Sequence, residues 1–250
     1  MNNQMKLSRI LFVCMALMVM SCQPKTDRDK LKNEEVNPDG SILKRTFKPD
    51  GKLFAEIQKK DGKKNGVTKN FYANGKVQVE TSFVNDRKDG DSKLYYDDGK
   101  ICQHVIYKND VKQGIEKHYY KNGNLACEIP YLDGEVEPGL KEYSNAGVPI
   151  ANNPTIIVTP INKMVSENKY ILRLALSNKS NVVAFARVSF ENGKKSRQEI
   201  ETQHGIGDLT FVVGSGKGLR EKVILEASFE TVYGNPYITR TTYDLSINNR

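Results

Sequence analysis

The sequence predicts an all-β protein in two parts: an antiparallel β-hairpin repeat array followed by a β-sandwich. Three observations predict it. Glycine recurs at Gly51, Gly75, Gly99, Gly123 and Gly147, and an aromatic ring recurs four residues earlier at Phe47, Phe71, Tyr95, Tyr119 and Tyr143, so both columns advance by 24 residues. A fixed period held by two columns marks a repeat architecture. The second strand of each unit alternates apolar and polar residues with period two, as a half-buried strand must. Beyond Gly147 the register stops and short strand-like runs take over.

The chain of 250 residues has room for two modest domains. Lys6 and Arg9 precede an apolar run from Ile10 to Met20, and Ser21-Cys22 follows at cleavage distance. Residues 1-21 resemble a bacterial lipoprotein signal peptide, a resemblance that puts the lipidated thiol at Cys22 and anchors the chain stably by several acyl chains. Residues 22-38, polar and without apolar periodicity, read as a flexible tether. Gln23 stands where an inner-membrane retention aspartate sits in some lipoproteins, so the expected address is the cell envelope at the outer membrane, on either face. Removing the leader removes two cations from the formal +8, leaving a mildly basic +6. An exported basic protein is not expected to meet nucleic acid.

Within 39-150 the unit from Gly66 to Gly90 is typical. Val67 to Ala73 forms one strand, Asn74-Gly75 signals a type I′ turn, and Lys76 to Asn85 forms the next strand. Polar segments such as Asn85 to Gly90 and Asp133 to Gly139 join successive hairpins into a meander. On the second strands Val77, Val79, Ile101, Val105, Leu125, Cys127 and Ile129 share one face, while Glu56, Glu80, His104 and Glu128 form a column on the other. Cys127 therefore falls on the apolar face and Cys102 on the polar one. With equivalent strands roughly 9.5 Å apart, beyond the reach of about 7 Å that a disulfide allows, both thiols are expected to be free. Tyr72, Tyr96 and Tyr120 follow the aromatic column and by simple alternation join the polar face, beside Glu80, His104 and Glu128. These six residues are the candidate binding face, suited to sugar rings or a partner's side chains.

The phrase Gly66, Phe71, Tyr72, Asn74, Gly75 and Lys76, echoed at Gly90, Tyr95, Tyr96, Asp98, Gly99 and Lys100 and again at Gly114, Tyr119, Tyr120, Asn122 and Gly123, resembles the MORN repeat in its bacterial version, whose proteins include the YwqK type labelled as antitoxins. The resemblance covers about 40 to 150. It implies an elongated single-layer hairpin solenoid serving as spacer, protein-docking surface or lipid binder, and the label adds an antitoxin or immunity role.

In 155-250 seven runs read as strands: Ile156 to Thr159, Tyr170 to Ser177, Val182 to Phe190, Ser196 to Thr202, Leu209 to Val213, Lys222 to Val232 and Tyr237 to Ile247. They fit a sandwich of immunoglobulin-like or transthyretin-like type. Pro149, Asn152, Asn153 and Pro154 read as a linker or cap.

No catalytic constellation emerges. Gly214-Ser215-Gly216-Lys217-Gly218 lacks phosphate-loop spacing and reads as a hairpin loop. His104, His118 and His204 are scattered without metal-ligand spacing, and an open sheet offers no cleft to separate the pKa values of the glutamate column. The expected function is a non-enzymatic, lipid-anchored envelope protein without cofactor or metal, its repeat sheet a scaffold or docking surface for an envelope protein. The alternatives are a carbohydrate or peptidoglycan binder using the tyrosines, and an envelope antitoxin.

Overall fold

The computed structural model describes residues 33–151 and 153–249. The leader, Cys22 and most of the tether lie outside the described residues. No described helix is long and apolar enough to cross a membrane.

The repeat half is one antiparallel sheet in which chain order equals spatial order. It comprises β1 (Glu34–Val36), β2 (Ile42–Phe47), β3 (Leu53–Lys60), β4 (Lys63–Phe71), β5 (Val77–Val84), β6 (Arg87–Tyr95), β7 (Ile101–Lys108), β8 (Val111–Tyr119), β9 (Leu125–Leu132), β10 (Glu135–Val136), β11 (Lys141–Tyr143) and β12 (Pro149–Ile150). The meander is as expected, but its start is earlier. Glu34–Val36, inside the stretch read as tether, pairs with β2. The turn Asn37-Pro38-Asp39-Gly40 closes this first hairpin, with Asn37 N–H bonded to Ser41 O and Gly40 N–H to Asn37 O. A polar composition hid a strand whose partner is supplied by the turn.

The two sheet edges carry different turns, and the assignment of turn type is corrected accordingly. At Asn74-Gly75 only the glycine has positive φ, at 83°. Tyr72 N–H bonds Lys76 O and Gly75 N–H bonds Tyr72 O. This is a three-residue loop, a type I turn closed by a left-handed glycine, not a two-residue type I′ turn. Asn74 takes part through its side chain, whose Oδ1 accepts the Lys76 N–H at 3.0 Å, as Asp98 does for Lys100 and Asn122 for Asn124. An Asx side chain that already satisfies the backbone two residues on has no need of the left-handed conformation. The tight I′ turns sit at the opposite edge, at Asn85-Asp86 (φ 50° and 70°) and Asn109-Asp110 (φ 48° and 70°). The remainder of those segments, including Gly90 and Gly114, belongs to strands, and Asp133-Gly134 is likewise followed at once by β10 against β9.

Each glycine at the start of a first strand faces an aromatic ring across the ladder: Gly66 opposite Phe83, Gly90 opposite Tyr107, Gly114 opposite Tyr131. A lysine covers each ring, with Lys64, Lys88 and Lys112 nitrogens 4.8, 4.8 and 4.5 Å from the centroids. At Gly66 and Gly90 a side chain would run into Gln58 and Ser82 of the preceding second strand, and the cation over each ring adds about 0.5–1 kcal/mol.

The sandwich follows. It contains β13 (Ile156–Lys163), a single helical turn α1 (Met164–Glu167), β14 (Lys169–Leu176), β15 (Ala184–Glu191), β16 (Lys194–Ile200), β17 (Thr202–Gln203), β18 (Ile206–Val212), β19 (Gly218–Glu230) and β20 (Pro236–Asn248). All seven expected strands are present, and the short β17 is added. They form two sheets, β13-β14-β18-β17 and β16-β15-β19-β20. Taken as strands A, B, E, D against C′, C, F, G, the order is the immunoglobulin-like one of the two alternatives. Leu172, Leu174, Leu176, Leu209 and Phe211 of the first sheet meet Phe185, Val223, Leu225, Ala227, Leu245 and Ile247 of the second in one buried cluster. The segment from Gly214 to Gly218 carries the chain from β18 in one sheet to β19 in the other, so it is an inter-sheet crossing, not a hairpin loop.

The halves meet where the tip of the β19–β20 hairpin presses on the last repeat. Tyr237 packs with Cys127, Ile129 and Leu140, supported by Phe229. Beside this apolar contact, Arg240 holds Glu137 through two hydrogen bonds and Glu226 through a third, and Lys195 bridges Glu135 and Glu226.

Candidate functional site

The six candidate residues do not form one face. The four hairpins β2–β3, β4–β5, β6–β7 and β8–β9 each carry a register shift close to the turn glycine. Phe71 pairs with Val77 while Asn70 pairs with Val79, leaving Gln78 unpaired. Cys102 and Ala126 are the extra residues in the next two units. Such a bulge reverses the side-chain parity that simple alternation carries across it. The tyrosines after the aromatic column are therefore separated from the Glu80–His104–Glu128 column.

That column sits in a cross-strand row running Arg45, Glu56, Lys69, Glu80, Lys93, His104, Lys117, Glu128, Lys141. Lys69 reaches Glu80 at 3.4 Å, and Lys117 and Lys141 reach Glu128 at 3.6 and 3.3 Å. His104, between two lysines, turns to Asp91 at 2.6 Å. Exposed pairs of this kind contribute little singly, but directly opposed opposite charges favour one register over its slips. The row is a register ladder.

The tyrosines are staples between units. Tyr72, Tyr96 and Tyr120 donate their hydroxyls to the carbonyls of Tyr95, Tyr119 and Tyr143 at 2.6, 2.6 and 2.8 Å. Asn74 Nδ2 and Lys76 Nζ add bonds to Asp97 O and Asp98 O, and Asn122 repeats the first of these to Asn145 O. Burial, followed by the neighbouring Cys102, pushes the Tyr96 phenol up to about 12, so it remains a donor throughout the neutral range.

Tyr96 and Tyr120 also line a cleft of about 300 Å³ at the joint between the halves, whereas Tyr72 does not reach it. Tyr119 and Tyr143 continue the wall, Cys102, His118 and Glu142 belong to the repeat side, and Tyr233 and Asn235 close it from the β19–β20 tip. Glu142 is the buried centre, 7 % exposed. Its Oε1 accepts from Thr231 Oγ1 at 2.7 Å and from Asn235 Nδ2 at 2.6 Å. Asn235 in turn accepts from the Cys127 thiol at 3.5 Å.

Two strands over, across β9, Glu116 is 4 % exposed. Burial works to raise its carboxyl, and hydrogen bonds from His118, Lys112 and Gln103 outweigh it and hold the pKa down at about 2. Cys127, His118 and Glu116 lie near one another, with His118 directly opposite Cys127 in the ladder, yet they do not make a thiol nucleophile. Burial, then the Glu142 and Glu116 charges, push the Cys127 thiol up to about 12. The thiolate needed for attack is not formed near neutrality. Both Cys102 and Cys127 are free, as expected, although Cys102 lines the same cleft as Cys127 instead of the opposite face.

A second hollow, about 440 Å³ on the sandwich, is lined by Arg173, Glu201, Gln203, His204, Ile206 and Asp208. Arg173 and Asp208 satisfy each other there through paired hydrogen bonds of 2.9 and 2.7 Å. The joint cleft holds the buried carboxylate and the converging rings, and is the stronger site.

Sequence reasoning missed Glu142, His118 and Tyr233. The first two carried a signal. The column at 24-residue spacing Thr46, Asn70, Leu94, His118, Glu142 is uncharged through three units and becomes ionisable in the last two, those that meet the sandwich. No such signal marks Tyr233.

No curated protein matches this chain. Three segments, residues 64–85, 88–109 and 112–133, match the family described as MORN repeat variant, and each spans one first strand, its three-residue loop and the following second strand.

Proposed function

We propose that this protein is a non-enzymatic, lipid-anchored scaffold of the cell envelope, in which the hairpin sheet is a stiff spacer that sets the sandwich at a fixed distance from an anchor at Cys22. Repeats of the matched family serve generally as protein- and membrane-interaction scaffolds, which is consistent with this role. One observation carries the spacer reading over a carbohydrate-binding ladder. The hydroxyls of Tyr72, Tyr96 and Tyr120 are bonded to the next unit's backbone, and Glu80 and Glu128 are paired across the sheet. The groups that would recognise a ligand along the sheet are spent on holding it together.

Excising residues 64–87 removes one unit in register, joining Lys63 to Lys88, and shortens the sheet by two strand spacings, roughly 9.5 Å. Site-specific photocrosslinking from the outer surface of the sandwich in intact cells should then capture envelope partners with altered yield. Restoring the length with a copy of residues 88–111 should restore the yield. Capture that is indifferent to repeat number refutes the spacer. For the anchor, Cys22→Ala should lose incorporated palmitate and leave the membrane fraction. Retention without label contradicts the lipid attachment.

A further inference from the structure

We propose that the joint cleft binds an organic ammonium group, with Glu142 as its counter-ion and the rings of Tyr96, Tyr143 and Tyr233 as its walls. The inference is independent of the spacer role. It starts from an imbalance of charge: a buried carboxylate in a folded protein is normally paired or ligates a metal. Glu226, fully buried, obeys this rule, with Arg240, Lys195 and Arg197 around it. So does Glu116, with Lys112 and His118. Glu142 does not. Its two hydrogen-bond donors, Thr231 and Asn235, are neutral, both address Oε1, and no ion pair reaches it among the described residues. A metal is not what the surroundings offer, since no group of three His, Cys, Asp or Glu with suitable geometry is present among the described residues.

The walls specify the kind of cation. Rings attract a cation over their faces, more strongly where water is displaced. The Tyr96 and Tyr120 hydroxyls are engaged with backbone carbonyls, so these residues offer the cleft aromatic surface in preference to hydrogen-bond donors. A sugar needs convergent donors and acceptors; an alkylated or primary ammonium needs a ring surface and one carboxylate. The volume of about 300 Å³ lies at the small end of ligand pockets and suits a compact cationic head. Tyr233, 57 % exposed at the tip of the β19–β20 loop, stands at the mouth, where it closes over a ligand without being needed for the core.

The test uses the mature full chain in detergent, titrated with choline chloride and, as the uncharged isostere, 3,3-dimethyl-1-butanol, followed by calorimetry and by amide chemical shifts at Tyr233 and Asn235. Choline is expected to bind at least about tenfold more tightly than the isostere, a factor within reach of one desolvated cation–π contact. Glu142→Gln retains an acceptor for Thr231 and Asn235 and should remove that preference. Tyr233→Ala, which exposes no core, should weaken choline several-fold, and it keeps the question open to test should the Glu142 variant unfold. A short peptide with a single lysine binding in place of choline assigns the cation to a partner's side chain; choline binding assigns it to a free small molecule. Equal binding of choline and isostere, choline binding unchanged in Glu142→Gln, or no movement of the cleft amides with either cationic probe overturns the proposal.

Discussion

Replacing Tyr72, Tyr96 and Tyr120 by phenylalanine separates a staple from a recognition group. Each substitution keeps the ring and deletes one hydroxyl that donates to a carbonyl of the next unit at 2.6 to 2.8 Å. A net hydrogen bond in a partly buried setting contributes about 1 kcal/mol, and water can reach these part-buried carbonyls, which keeps each loss near that figure. The three sites recur two strand spacings apart, roughly 9.5 Å, far enough for their effects to add. The triple variant should therefore lose about 3 kcal/mol. At about 2–4 °C per kcal/mol for a protein of this size, the unfolding midpoint of the whole chain should fall by about 6–12 °C. Thermal unfolding followed by circular dichroism, with single, double and triple variants compared, gives the measurement. The staple reading fails if the triple variant melts within about 1 °C of the parent, or if the whole loss resides in one position.

Acid should weaken the fold through Glu116. Its carboxyl titrates at about 2 in the folded chain against an ordinary 4.5, so its contribution is fully present above about pH 5 and disappears as the pH falls toward 2. The loss is on the order of 2 kcal/mol; urea midpoints at pH 6 and pH 3 should lie closer together in Glu116→Gln than in the parent, and an unchanged difference refutes the assignment. Iodoacetamide at neutral pH should leave Cys127 unmodified in the native protein and label it only after denaturation, since the thiol is 2 % exposed and pushed up to about 12; peptide mapping that finds native Cys127 alkylated contradicts this environment. Arg240→Ala removes the group that bonds both Glu137 and the fully buried Glu226. With Lys195 and Arg197 still present, the loss should be about 3 kcal/mol, the lower end for a broken buried pair, measured by urea unfolding; a change below about 1 kcal/mol refutes the coupling.

The parts of the fold that follow from periodicity were legible in the sequence. Two columns at 24-residue pitch place each hairpin, and alternation along β5, β7 and β9 places Val79, Val105 and Ile129 on one face, with Val105 and Ile129 buried as that alternation requires. The site was not legible by the same means, because alternation counts residues and a bulge adds one. Cys102 and Ala126 are the added residues, and past them the parity of Tyr96 and Tyr120 is the reverse of what counting gives. Contacts between the halves were hidden for a different reason. Glu142 and Asn235 are 93 residues apart and meet across the joint between the halves, so no local pattern announces them. Turn type failed on chemistry of the side chain: Asn74-Gly75 has the composition of a type I′ turn, yet the Asx bond to Lys76 stabilises the three-residue loop instead.

The repeat tells where to look by where it stops repeating. A position that recurs with the same chemistry from unit to unit, such as the turn glycine in all five or the stapling tyrosine in the central three, answers to the sheet, because those units need the same bonds to their neighbours and nothing more. A position that changes character in one direction along the array answers to something at that end. Thr46, Asn70 and Leu94 give way to His118 and Glu142 in the two units nearest the sandwich. There the Glu142 carboxylate fixes the Thr231–Asn235 tip, and the neighbouring rings are gathered into a cleft. The unit at residues 64–87 is therefore dispensable for the cleft, while the last three, which supply Tyr96, Tyr120 and Tyr143, are not. Loss of residues 64–87 should leave the choline preference of the cleft intact even as it shortens the sheet, so spacing and binding are separable properties of one chain.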